Sequence, residues 1–179
     1  MKQYVIIGNG IAAAGCMEGI RSMDKESKIT VISKENHPVY CRPLISYYLE
    51  GKTNLERMNY RSPNFYKDNG CEVLYGKSAA KIDPENEQVT LSDGTVLPYT
   101  SLCIATGSSP FTPRFEGIET VSNHFSFMTL DDTLALEQAI SQDSRVLIIG
   151  AGLIGLKCAE GLHGRVGKIT VCDLADKVL

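Results

Sequence analysis

The sequence has no tryptophan, no long apolar run and no closely spaced pair of cysteines. Its longest apolar stretch, near residues 146–155, is interrupted by glycines and is much shorter than the roughly 20 residues that a membrane-spanning helix needs. The first residues, MKQYVIIG, enter a strand pattern at once and lack the long apolar region of a secretion signal. These absences predict a cytoplasmic protein without a membrane span.

Neither sign of charge is in large excess, because 18 Lys and Arg residues stand against 21 Asp and Glu residues. The net charge of -3 offers no basic surface of the kind that binds nucleic acid, so we expect no such partner. At 179 residues the chain is long enough for one domain and part of another. It is too short for two complete nucleotide-binding domains.

The cysteines show no CxxC or CxxxxC spacing, which is the spacing typical of zinc sites and redox pairs. We therefore predict no metal site. Scattered thiols of this kind fit a reducing compartment and mostly pack in apolar surroundings. The six cysteines are Cys16, Cys41, Cys71, Cys103, Cys158 and Cys172.

The chain contains an internal repeat. Residues 5–15 resemble residues 146–160, and residues 28–35 resemble residues 168–176. Each copy has a short Val/Ile strand, a glycine turn, a helical stretch and a second strand, which is the pattern of a right-handed βαβ unit. A separation of about 140 residues is too long for a solenoid repeat and suits two homologous domains.

In the first copy, residues 8–13 read GNGIAA, a GxGxxA pattern. The first glycine allows a tight turn, the second lets the backbone approach a pyrophosphate, and the small last residue lets helix and strand pack. The helix that follows presents free N–H groups and a positive dipole end to phosphates. The residues predicted to bind a cofactor here are Gly8, Asn9, Gly10, Ala12 and Ala13.

In the second copy, residues 150–155 read GAGLIG, a full GxGxxG, and Asp173 closes the next strand. An acid at that position holds the hydroxyls of an adenosine ribose and repels a 2′-phosphate. No arginine follows it in the chain, so NADH is favoured over NADPH. The residues predicted to bind here are Gly150, Gly152, Leu153, Ile154, Gly155 and Asp173.

The two copies differ at the end of the second strand. Aligning their KITV segments places Ser33 at the position of Asp173, and Glu35 is the nearest acid, with Lys34 between them. We assign all three residues to the first ribose site, although a charge after a strand is often plain solvated surface. One glycine turn alone is often a simple strand–helix connection, but two copies in the same context favour nucleotide binding.

Between the copies, Pro63 and Gly70 bracket a short helix, and Asp131 opens a helix that runs to Ile140. Residues 108–118 are rich in proline and predict a linker. Strands are expected at residues 72–75, 79–82 and 88–91, which look like a small antiparallel layer, and at residues 101–105. The predicted fold class is α/β, with two Rossmann-like, FAD/NAD(P)-binding βαβ units, a small antiparallel β layer and an incomplete second domain.

Further motifs accompany the two glycine turns. Residues 40–46 read YCRPLIS and residues 105–110 read ATGSSP, with a related stretch at residues 76–83. Together they resemble the FAD-dependent pyridine nucleotide-disulfide oxidoreductase superfamily, in particular the N-terminal portion of its rubredoxin, ferredoxin and nitrite reductases and NADH oxidases. The resemblance implies an FAD-binding domain at residues 1–112 and the start of a truncated NAD(H)-binding domain at residues 113–179.

The resemblance also implies roles for residues outside the two turns. Arg42 would neutralise pyrophosphate charge with its forked guanidinium, and Pro43 would shape the turn beside the isoalloxazine. The alternative for Arg42 is a surface arginine that opens a helix. Ala79 would meet the adenine through its backbone. The adenosine diphosphate would be approached by Ala105, Thr106 and Gly107.

The activity implied by the resemblance is hydride transfer from NADH to FAD, then electron transfer to an acceptor such as rubredoxin, ferredoxin, nitrite or oxygen. FAD and NAD(H) carry this chemistry, so no side chain is assigned a catalytic role. The expected partner is a small electron-carrier protein or a small-molecule acceptor, and the full-length form is expected to be a homodimer. Ser46 is followed by Tyr47 and Tyr48 where relatives often have a lysine. Lys157 stands where many relatives have a glutamate, and it either changes the field around the transferring hydride or is a solvent-facing helix residue.

Two other functions stay open. Cys41 lies in the flavin segment, so a thiol or disulfide reductase is one alternative, although no CxxxxC pair is present. The other is a non-catalytic nucleotide-binding fragment that needs a partner chain.

Overall fold

The computed structural model describes residues 1–114 and 116–178. The chain divides into two compact units, neither of which is contiguous in sequence. The first unit combines Met1–Tyr40 with Asn59–Ser108, and the second combines Cys41–Met58 with Ser109–Leu179.

The elements follow in chain order. The strands are β1 (Gln3–Ile7), β2 (Lys28–Ser33), β3 (Cys71–Tyr75), β4 (Ala79–Asp83), β5 (Gln88–Leu91), β6 (Val96–Pro98), β7 (Ser101–Ile104), β8 (Arg145–Ile149) and β9 (Lys168–Cys172). The helices are α1 (Ile11–Met23), α2 (Ile45–Leu49), α3 (Leu55–Met58), α4 (Phe65–Asp68), α5 (Leu130–Ala139) and α6 (Leu153–Leu162). Short 3₁₀ turns lie at Arg42–Leu44 and Ile118–Thr120.

The first unit is built on a parallel sheet of four strands in the order β3-β2-β1-β7. Its central strands are continuous apolar runs because both of their faces are covered. Helix α1 packs Ala13, Ala14 and Met17 against one face, where Ile6 and Val31 are also buried. The small alanines let the helix lie close to the strands.

The other face of this sheet is covered by the antiparallel strands β4, β5 and β6. Val89 and Leu91 of β5 are buried there with Val5, Ile7 and Ile32. This layer was predicted, but the assignment of residues 72–75 to it was wrong. Strand β3 instead pairs in parallel with β2 and extends the main sheet.

The turn between β4 and β5 contains Glu87, a non-glycine residue with a positive φ of 51°. Such a backbone conformation costs on the order of 1 kcal/mol for a residue with a Cβ. A Glu87→Gly substitution is therefore expected to raise the free energy of unfolding by about 1 kcal/mol, as measured by urea denaturation. Glu85→Gly is the control, because Glu85 lies in the same turn and has no positive φ. Equal destabilisation by both changes would contradict the expectation.

The second unit contains the βαβ arrangement β8-α6-β9, whose two strands pair in parallel. Its core includes Leu136, Ile148, Cys158 and Leu162, and also Leu49 from the distant segment Cys41–Met58. Helix α2 packs so closely on α6 that a Cβ on Gly161 would press against the Ser46 carbonyl and the Leu49 side chain. A glycine in α6 thus makes room for α2.

Most of the predicted elements are present. Helix α5 begins with a capping box in which Thr129 and Asp132 bond each other's backbone N–H, close to the expected start at Asp131. The short helix expected after Pro63 begins at Phe65. The α/β class, the two βαβ units and the antiparallel layer are confirmed. No helix in the described ranges is long and apolar enough to span a membrane.

Candidate functional site

The first glycine turn connects β1 to α1. Gly8 has a φ of 109°, which only glycine adopts without strain, and its N–H donates to the Ile32 carbonyl at 2.9 Å. Gly10 is the N-cap of α1 and has no side-chain cap. A Cβ on Gly10 would meet nothing within 4 Å. The turn therefore opens onto space beside uncapped helix N–H groups, a geometry that suits an anion such as phosphate.

The segment after β7 lies beside this turn. A Cβ on Gly8 would overlap the carbonyl oxygen of Ala105, and the Ala105 N–H donates to Ile7 at 2.8 Å. Thr106 and Gly107 follow and are exposed. The structure thus brings two separately predicted groups, Gly8 and residues 105–107, to the same edge of the sheet. The remaining first-turn residues, Ala12 and Ala13, lie in the first turn of α1, exposed and buried respectively.

Asn9, at the centre of the first turn, points its side chain into the protein. Its Nδ2 donates to the His37 carbonyl at 3.2 Å, and its Oδ1 accepts from the Tyr66 hydroxyl at 2.8 Å. The same hydroxyl accepts from the Val39 N–H at 2.8 Å. Tyr66 was missed in the sequence, where nothing but its place in a short helix marks it out.

At the end of β2, Ser33 is buried and its Oγ donates to the Glu35 carbonyl at 2.7 Å. Lys34 is exposed. The Glu35 carboxylate accepts from the Tyr40 hydroxyl at 2.6 Å. Among Ser33, Lys34 and Glu35, the acid is Glu35, and its hydrogen bond with Tyr40 fixes the orientation of its side chain.

Ala79 lies at the start of β4, opposite Leu91. The nearby Lys77 N–H donates to the Ser33 carbonyl at 2.9 Å, so this segment lies close to the end of β2. Ligands of open parallel sheets bind outside the carboxyl ends of the strands. The ends of β1, β2 and β7 accordingly place the predicted residues of the first site in one region.

The second glycine turn repeats the geometry of the first. Gly150 has a φ of 107°, and its N–H donates to the Cys172 carbonyl at 2.8 Å. A Cβ on Gly155 would overlap the Gly150 carbonyl oxygen, so this glycine lets α6 lie against the turn. Gly152 is the N-cap of α6 and provides no side-chain hydrogen bond to the helix. A Cβ on Gly152 would meet nothing within 4 Å. The next two residues, Leu153 and Ile154, are more than half exposed.

Asp173 contacts the second turn directly. Its Oδ2 accepts from the Ala151 N–H at 2.6 Å and its Oδ1 from the Ala175 N–H at 2.8 Å. These backbone donors, Ala175 first and then Ala151, hold the pKa of Asp173 below its usual value. The carboxylate is therefore charged at neutral pH and lies at the edge of the turn.

The segment Cys41–Met58 belongs to the second unit. There the Arg42 guanidinium donates to the Met128 carbonyl at 2.9 Å, Pro43 is exposed, and Cys41 is partly buried. Their contacts with a flavin stay predictions. So does the place of Arg42 at the pyrophosphate.

Lys157 pairs with a neighbour on its own helix. Its ammonium lies 2.5 Å from Glu160 and 5.0 Å from the ring centre of Tyr47. The Glu160 carboxylate raises the pKa of Lys157. Tyr47 and Lys157, which both lie where the chain departs from the family pattern, therefore contact each other.

The family of pyridine nucleotide-disulphide oxidoreductases matches residues 2–179. The epsilon subunit of an NADH-dependent phenylglyoxylate dehydrogenase from Aromatoleum evansii is 34% identical over 98% of this chain and 42% of its own length. A nitrite reductase [NAD(P)H] from Bacillus subtilis is 33% identical over 97% of this chain and 22% of its own length.

A solved structure, the covalent putidaredoxin reductase–putidaredoxin complex, matches with a TM-score of 0.87 and 29% identity over 99% of this chain and 43% of the matched chain. The chain thus spans less than half the length of these relatives. The predicted family and the predicted cofactors, FAD and NAD(H), are confirmed. The chain belongs to the pyridine nucleotide-disulphide oxidoreductase family, whose members are NAD(P)H-dependent flavoproteins.

Proposed function

We propose that the protein binds FAD at the first glycine turn and NADH at the second, and passes hydride from NADH to FAD and then electrons to an acceptor. The observation that carries this proposal is the matched pair of turns. Gly8 and Gly150 share nearly the same φ, and each donates its N–H to a carbonyl near the end of the following parallel strand, Ile32 in β2 and Cys172 in β9. Each turn also ends at a glycine N-cap that faces open space.

The residues present fit two dinucleotides. Gly10 and Gly152 leave space where a pyrophosphate must approach the backbone, and the helix N-termini behind them provide N–H donors. Asp173 would hold the ribose of NADH, and Glu35 would hold the ribose of FAD. A bound flavin would accept the hydride and pass its electrons on. The protein's own task is to place and orient the two nucleotides.

The proposed acceptor is a small electron-carrier protein or a small molecule such as nitrite or oxygen. The putidaredoxin complex of one relative and the nitrite reductase activity named for another support this range. We further propose residues 1–112 as FAD-binding, residues 113–179 as part of the NAD(H)-binding domain, a homodimeric full-length form and a cytoplasmic location. The free state of the six cysteines supports that location.

The test is an absorption spectrum of the purified protein from about 300 to 600 nm, recorded before and after anaerobic NADH. Flavin bands that bleach with NADH are expected, because hydride transfer reduces the flavin. Bands that persist would favour the non-catalytic nucleotide-binding fragment. A protein without flavin bands, even after reconstitution with FAD, would overturn the proposal.

A Cys41→Ser variant separates the proposed function from a thiol or disulfide reductase. We expect the rate of flavin bleaching by NADH and the electron transfer to an artificial one-electron acceptor to stay within about twofold, since no side-chain nucleophile is needed. Stopped-flow absorbance measures both rates. Cys172→Ser is the control, because Cys172 is an exposed thiol at the end of β9. A selective loss with Cys41→Ser would favour the thiol mechanism.

A further inference from the structure

The two glycine turns are held by different contacts, although their backbones agree. In the second turn, the central residue is Ala151, whose N–H donates to the Asp173 carboxylate at 2.6 Å. In the first turn the corresponding residue is Asn9, and the residue at the position of Asp173 is Ser33. The Ser33 hydroxyl donates to the Glu35 carbonyl instead. The first turn therefore needs another support.

The support comes from α4. Phe65 is buried in the core of the first unit and fixes this short helix, and the neighbouring Tyr66 packs edge-on against it with ring centres 5.3 Å apart. The Tyr66 hydroxyl accepts from the Val39 N–H and donates to the Asn9 Oδ1, each at 2.8 Å. Asn9 then donates to the His37 carbonyl. The Tyr66 hydroxyl thus joins the first glycine turn, through Asn9, to the segment after β2, through Val39.

Those two segments carry the two halves of the proposed FAD site. Asn9 lies in the turn that faces the pyrophosphate, whereas Val39 ends the loop of residues 34–39, which carries Glu35. Both hydrogen bonds of the phenol have ordinary lengths, and its partners are part-buried. A contact of this kind reduces the ordering that a ligand must otherwise impose when it binds.

We propose that Tyr66 is a positioning residue for FAD, which fixes the first glycine turn and the loop of residues 34–39 in the geometry that binds the adenosine diphosphate. This inference rests on the proposed FAD site. Tyr66 acts through Asn9 and Val39.

The test compares Tyr66→Phe with Tyr4→Phe in the protein stripped of flavin and titrated with FAD. Tyr4 also loses one hydroxyl bond, to Asp24 at 3.1 Å, but it lies at the other end of β1. We expect the FAD dissociation constant to rise about tenfold in Tyr66→Phe, for the loss of two hydrogen bonds, and to change less than about twofold in Tyr4→Phe. Flavin fluorescence measures the binding.

Two further readouts separate positioning from general stability. Hydrogen exchange of the Val39 amide in the flavin-free protein is expected to speed up in Tyr66→Phe alone. The Michaelis constant for NADH of the flavin-saturated protein is expected to stay unchanged. Asn9→Ala, which removes one of the two contacts of the phenol, is also expected to weaken FAD binding. The double variant is expected to lose less than the sum of the two single changes, because both remove the Tyr66–Asn9 hydrogen bond.

Equal FAD affinity in Tyr66→Phe and Tyr4→Phe would overturn the inference, as would faster exchange at Val39 without a change in FAD affinity. If Tyr66→Phe does not fold, Asn9→Ala provides the same comparison. Failure of the unaltered protein to bind FAD would instead overturn the proposed function and this inference together.

Discussion

A Gly8→Ala variant is expected to lose about 4 kcal/mol or more of its free energy of unfolding. Two costs combine at this position. The φ of 109° is strained for any residue with a Cβ, and that Cβ would overlap the Ala105 carbonyl oxygen, which belongs to the backbone and cannot rotate away. Urea denaturation of the flavin-free protein measures the change.

Gly10→Ala is the matched control for Gly8→Ala. A Cβ on Gly10 meets no protein atom within 4 Å, so the variant is expected to lose no more than about 1 kcal/mol, the cost of alanine at a helix N-cap. Its FAD affinity is expected to fall on the order of tenfold to a hundredfold, because the new methyl group occupies the space that a pyrophosphate needs. Unchanged FAD binding in Gly10→Ala would contradict the proposed place of the phosphates.

An Asp173→Ser variant is expected to lose its preference for NADH over NADPH. The charged carboxylate at the edge of the second turn would hold the ribose hydroxyls and repel a 2′-phosphate. We expect the ratio of kcat/KM for NADH to that for NADPH to fall on the order of tenfold to a hundredfold. Steady-state rates of flavin reduction with each nucleotide measure the ratio.

Asp173 also accepts a hydrogen bond from Ala151, so its role in choosing NADH must be separated from its support of the turn. Asp176→Asn removes a charge from the same exposed loop and is expected to leave the ratio unchanged. If Asp173→Ser weakened both nucleotides equally, the carboxylate would act only as a support for the turn. That result would refute its role in choosing NADH.

Much of the fold could be predicted because its signals are local. The glycines at positions 8, 10, 150, 152 and 155 follow apolar strands and precede helices, so their spacing alone predicts both turns. The capped start of α5 likewise depends on a few adjacent residues.

The remainder depends on contacts between distant residues. Strand β3 was assigned to the wrong sheet because its alternation predicts a strand but not its partner. Tyr66 contacts Asn9 only because α4 lies next to the first turn. The packing of Leu49 with Leu136 and Leu162 has no local signal either.

The placement of α2 also dictates an order of events during synthesis. The parallel sheet of the first unit is complete once β7, ending at Ile104, has left the ribosome. Helix α2 is made earlier, yet Leu49 finds its buried neighbours only after Leu136 and Leu162 have been translated. Until then these neighbours are not available to bury it. The segment Cys41–Met58 interrupts the first unit in sequence. We therefore expect the first sheet to form before this segment reaches its final packing, which must wait until the second half of the chain is made.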